Sequence, residues 1–94
     1  MNKIRLGLVT AWGECGMGYV AKNWVYTFEK FNNKIIYQIY SRSLPWLMKH
    51  RWVGTQVING PNQMDINHPH FWKWIDTFKP DVLFFQDQNI YSKT

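Results

Sequence analysis

"KIRLGLVTAWGECGMGYVAKNW", residues 3 to 24, passes from an apolar run through three glycines into an amphipathic run. Residues 3 to 10 are rich in Leu, Ile and Val and lack regular polar alternation, the pattern of a strand covered on both faces. From Tyr19 to Phe31 the apolar residues Val20, Ala21, Trp24, Val25, Phe28 and Phe31 recur at helical spacing, with Lys22, Asn23, Glu29 and Lys30 on the opposite side. Gly13, Gly16 and Gly18 join the two elements. A strand, a glycine loop and a helix N-terminus in succession form an anion cradle. Free backbone N–H groups and the positive end of the helix dipole face the ligand, and glycine lets the backbone come close. The same glycines would serve equally well in a plain tight turn.

Working outward, Asn32-Asn33 supplies a stop that tolerates a left-handed helix end, and "KIIYQIYS", 34 to 41, reads as a second strand. "RSLPWLMKHRW" is an irregular connection in which Pro45 can open a helical turn, and "TQVI", 55 to 58, is a short third strand closed by Asn59-Gly60-Pro61. Asn67 or His68 can cap a second helix with Pro69 in its first turn and an inward stripe of Phe71, Trp72, Trp74, Ile75 and Phe78. Pro80 then ends the helix before a fourth strand, Val82 to Phe85.

This alternation predicts an α/β chain: a Rossmann-like, three-layer half-domain with a parallel sheet of about four strands, order 3-2-1-4, flanked by helices. Residues 1 to 94 read as one domain. Strand four is as apolar as strand one, yet only "QNIYSKT" follows it, so the expectation is an incomplete domain with an uncovered sheet edge. Pairing of two copies through that edge would hide it.

Composition narrows the function classes. The 94 residues are 46% hydrophobic and 18% aromatic, which argues for a packed domain and against disorder. The net charge is +5, but the Lys and Arg residues are scattered apart from Arg42, Lys49 and Arg51, so no basic stripe for nucleic acid is evident. The single cysteine, Cys15, allows neither an internal disulfide nor a cysteine-based zinc site and suits a cytoplasmic protein. No stretch is long enough to span a membrane. Asp65, His68 and His70 have unsuitable spacing for a metal with Pro69 opening a helix, and no tightly bound cofactor is expected.

Ligands of parallel sheets bind beyond the strands' carboxyl ends. There the candidates are the loop residues Gly13, Glu14, Gly16, Met17 and Gly18, together with Trp12 for stacking and Gln86, Asp87 and Gln88 after strand four. Glu14 or Asp87 would accept sugar hydroxyls or act as a base, or simply remain solvated acids. Cys15 reads as a plain loop cysteine. The spacing G-x-x-G-x-G differs from the dinucleotide fingerprint G-x-G-x-x-G, and no Gly-Lys-Ser or Gly-Lys-Thr phosphate loop occurs. "YSRS", 40 to 43, would seat a phosphate through Arg42, which keeps an NADP-binding half-domain open beside a small binding or dimerisation module.

The residues 3 to 24 resemble the start of GT-B retaining glycosyltransferases of the family 4-like group, whose first strand runs into a "W-G-x-x-G-x-G-Y" loop and a helix. "WKWIDTFKPDVLFFQDQNIY", 72 to 91, is similar to their later segment, where an aromatic helix, K-P-D and an apolar strand lead into a polar loop. The resemblance runs through nearly the whole chain and is weakest between positions 43 and 66. It implies an N-terminal, acceptor-side domain whose glycine loop approaches the diphosphate of a nucleotide-sugar. It places Gln86, Asp87 and Gln88 beside a sugar or glycan acceptor. In such enzymes a second domain, with a basic pair and a Glu-x7-Glu motif, holds the donor. None of that domain lies in this sequence, so the expectation is no transfer without a separate partner chain.

Overall fold

The computed structural model describes residues 3–42, 50–61 and 67–86. Its elements are β1 (Ile4–Thr10), α1 (Gly16–Lys30), β2 (Ile35–Ser41), β3 (Val57–Asn59), α2 (Pro69–Phe78) and β4 (Val82–Phe85). The four strands form one parallel sheet in the order β3-β2-β1-β4. This is the α/β architecture read from the sequence.

The pleat of β1 and β2 divides the core into two layers. Leu8 pairs with Ile39 on the face covered by α1, where Ala21, Val25 and Phe28 pack with Trp12 and Tyr37. Val9 pairs with Tyr40 on the other face, where α2 brings Phe71, Trp74 and Phe78. Adjacent strand residues thus point to opposite helices, which explains why both strands are mainly apolar on both faces. Gly7 makes room for α2, because a Cβ there would lie 2.7 Å from the Trp74 ring. Arg5 ties the far end of α2 to the sheet: its Nε donates to the Phe78 carbonyl at 2.7 Å and its guanidinium lies over the Phe78 ring.

Several boundaries differ from the sequence reading. Helix α1 begins at Gly16 rather than Tyr19, because the Cys15 Sγ accepts from the Gly18 N–H at 3.3 Å and caps the first turn. It ends through Phe31, whose φ is −114°, so Asn32-Asn33 supplies no left-handed cap. The left-handed cap is Lys79, φ 52°, at the end of α2 just before Pro80. Strand β3 starts at Val57: the Val57 N–H closes a turn onto Gly54, and of Thr55-Gln56 only the Gln56 carbonyl reaches the sheet, accepting from the Ile39 N–H at 2.8 Å. Trp72 does not face the core: it is 52% exposed and its Nε1 donates to the Asn67 side chain. Val20, Trp24 and Phe31 of the predicted helical stripe are also exposed. Among the described residues no strand covers the outer edge of β4, and Val82, Leu83 and Phe85 remain partly exposed there.

Candidate functional site at the carboxyl end of the sheet

The chain leaves β1 at Thr10 and reaches α1 through five residues. This connection is pinned by a distant segment. Gly13 forms an antiparallel bridge with Arg51, the Glu14 N–H donates to the His50 carbonyl at 2.8 Å, and the Trp52 N–H donates to the Trp12 carbonyl at 3.1 Å. Residues 50–52 therefore form a clamp on the glycine loop. Aromatic contacts hold the clamp in place: Trp52 meets the edges of Trp12 and Tyr19, with the Lys22 ammonium 3.9 Å above its ring.

Loop and helix meet at van der Waals closeness. A Cβ at Gly18 would lie 1.9 Å from the Gly13 carbonyl oxygen, so only glycine permits the approach. Gly16 has nothing within 4 Å of such a position and is exposed. In the first turn of α1 the Gly18 N–H is satisfied by Cys15, whereas those of Gly16 and Met17 have no intrahelical carbonyl to bond. Met17 is half-buried with Cys15 against Ala11, and Glu14 is exposed.

Three polar side chains end the central strands. Thr10 of β1 pairs with Ser41 of β2, and both are fully buried. The Thr10 hydroxyl donates to the Gln86 Oε1 at 2.5 Å, and the Gln86 N–H continues the ladder to the Val9 carbonyl. Arg51 closes this row. Its Nη2 donates to the Ser41 carbonyl at 2.6 Å and to the Ser41 Oγ at 3.3 Å, while its buried Nε finds no acceptor among the described residues. Burial pulls the guanidinium below its usual proton affinity, opposed by the nearby Tyr40. An unpartnered buried donor costs about 1–3 kcal/mol, which an anion accepting from it would relieve.

Placement of the expected site residues is mixed. Gly13, Glu14, Gly16, Met17, Gly18 and Gln86 do gather at the carboxyl end between β1 and β4. Trp12 is there too, but it is 8% exposed and packs in the α1 core, so it offers no free face for stacking. Arg42 is 3% exposed: it lies under the surface and does not present the open phosphate seat suggested by "YSRS". Asp87 and Gln88 lie outside the described residues. Arg51, Thr10 and Ser41 went unassigned as site residues. Only the basic cluster containing Arg51 hinted at the first, and their convergence depends on the pairing of Gly13 with residue 51. Among the described residues no three His, Cys, Asp or Glu side chains come together as metal ligands, and no helix is long and apolar enough to cross a membrane.

Comparison with protein-family models, with curated proteins and with solved structures found no match to the chain.

Proposed function

We propose that the chain binds the diphosphate portion of a nucleotide-sugar at the carboxyl end of its sheet, as the acceptor-side half of a retaining glycosyltransferase cleft. The observation that carries this reading is the buried Arg51 Nε, a charged donor without an acceptor among the described residues, on a guanidinium held at Ser41 by the segment that pairs with Gly13. The resemblance of "WGECGMGY" to the first loop of GT-B enzymes supplies the ligand class. Retaining transfer stabilises a leaving diphosphate with cations and helix N-termini. Here Arg51 and the Gly16 and Met17 N–H groups would contribute to that stabilisation, with Gln86 toward the acceptor sugar. A second domain or a partner chain would hold the nucleotide and the remaining phosphate charge. The family's donor motifs are not among these residues, so this chain alone is expected to bind weakly and to transfer nothing.

Isothermal titration of UDP-glucose, GDP-mannose and NADP into the chain and into Arg51→Met tests the reading. A nucleotide-sugar Kd of about 1 mM, weakened about tenfold in the variant, is expected. If neither nucleotide-sugar binds, or Arg51→Met binds them as well as the parent, the reading fails. Preferential binding of NADP would turn it toward a dinucleotide half-site.

A further inference from the structure

A groove of about 250 Å³ runs along the flank of α2 beside the end strand β3. Among the described residues it is lined by Ile58, His70, Lys73, Trp74 and Thr77. The last four fall at i, i+3, i+4 and i+7 of α2, so they share one helical stripe, and Ile58 faces them from β3. This groove lies on the α2 face of the sheet, whereas Thr10, Gln86 and the Ser41 hydroxyl lie on the α1 face. The inference is therefore independent of the function proposed above.

The lining is mostly apolar, with Trp74 contributing only a rim, and its polar groups are at His70, Lys73 and Thr77. Trp74 is rigid: its Nε1 donates to Gln38 at 2.8 Å and its ring stacks on Phe78 with an interplanar angle of 5°. The polarity of His70 is also set by its neighbour. The Tyr40 hydroxyl lies 2.9 Å from the His70 Nδ1, and burial pushes the Tyr40 phenol up to about 12. The phenol keeps its proton at neutral pH and can donate it to Nδ1; in that arrangement the neutral imidazole carries its own proton on Nε2 and presents it as an N–H donor. The Thr77 hydroxyl is already engaged with the Lys73 carbonyl at 2.8 Å, which leaves its oxygen an acceptor and no second donor.

We propose that this groove binds small aromatic carboxylates, with the ring over Ile58 and meeting only the rim of Trp74, which is 4% exposed, and the carboxylate accepting from His70 Nε2–H and Lys73 Nζ. Two donors, one of them a fixed cation, match the two oxygens of one carboxylate. The apolar walls match a flat ring, and the volume, below the 300–1,000 Å³ usual for drug-sized ligands, limits the occupant to about one ring system.

The test is a 1H–15N shift map of the whole chain titrated with benzoate, and in parallel with neutral benzamide. Benzoate is expected to bind with a Kd of about 1 mM, as its few heavy atoms allow, and to move the resonances of Ile58, His70, Lys73, the Trp74 indole N–H and Thr77. Benzamide should bind about 3- to 5-fold more weakly. Lys73 is exposed on α2, so Lys73→Met retains the fold. That variant should weaken benzoate by the same factor and leave benzamide unchanged. The proposal is overturned if benzoate moves none of these resonances, if benzamide binds as tightly, or if Lys73→Met leaves the benzoate affinity unaltered.

Discussion

Replacing Gly18 by alanine tests the packing on which the loop depends. The new Cβ would stand 1.9 Å from the Gly13 carbonyl oxygen and 3.0 Å from that residue's carbonyl carbon and nitrogen. Backbone cannot rotate away as a side-chain tip can, so loop and helix must separate by at least about 1 Å. The same Gly13 carbonyl accepts from the Cys15 N–H at 2.8 Å, and Gly13 also pairs with Arg51, so the separation breaks bonds as well as contacts. Overpacking of this kind costs about 1–3 kcal/mol and a lost hydrogen bond about 1 kcal/mol, offset by about 1 kcal/mol from alanine's better helix propensity. The net loss is about 2 kcal/mol, which lowers Tm by about 8–16 °C in a chain of this size. Gly16→Ala is the internal control. It has open space, no positive φ and the same propensity gain of about 1 kcal/mol, so its Tm should rise by about 4–8 °C. Thermal melts followed by circular dichroism measure both. If Gly18→Ala melts at or above the parent, or the two variants shift alike, the close approach of loop and helix is wrong.

Further outcomes follow from other residues. Lys79 holds φ 52° at the end of α2, so Lys79→Gly should raise the urea midpoint by an amount equivalent to about 0.5–1 kcal/mol; a lowered midpoint would contradict the left-handed cap. Tyr40 and Tyr37 both hold their phenols above the ordinary value of 10, Tyr40 at about 12, chiefly because burial disfavours the phenolate, with the Glu29 carboxylate adding to the effect at Tyr37. The folded state then keeps protons that the unfolded chain releases. Stability is complete below about pH 10 and declines as pH rises toward 12, and Tyr40→Phe should flatten that decline in urea titrations. Trp74→Phe removes the donor to Gln38 and part of the α2 core, so chemical denaturation should show a loss of about 1–2 kcal/mol.

The parallel order of the sheet was legible because β1, β2 and β4 are mainly apolar, broken only by Arg5 and Gln38, and are separated by stretches long enough for crossovers. Helix α2 was legible from Pro69 and the spacing of Phe71, Trp74 and Phe78. The start of α1 was not, since glycines at its first and third positions are poor helix formers and only the Cys15 Sγ, a rare cap, turns them in. Trp72 misled because a large aromatic beside a core stripe reads as core, while its indole N–H is satisfied at the surface by Asn67. At the site, the glycines gave away the location but not the cation. Arg42 follows β2 directly and looked like the phosphate ligand. The chain buries it and instead brings Arg51 over Ser41, through a pairing of residues 13 and 51 that no local pattern announces.

The most direct test of the carboxyl-end site is the 1H–15N resonance of the Arg51 Nε–H itself, observed while UDP-glucose is added. That proton has no acceptor among the described residues, so an anion seated beside it should shift the resonance downfield in step with the amides of Gly16 and Met17. An Arg51 Nε–H resonance that stays in place while these amides also fail to move would contradict the account.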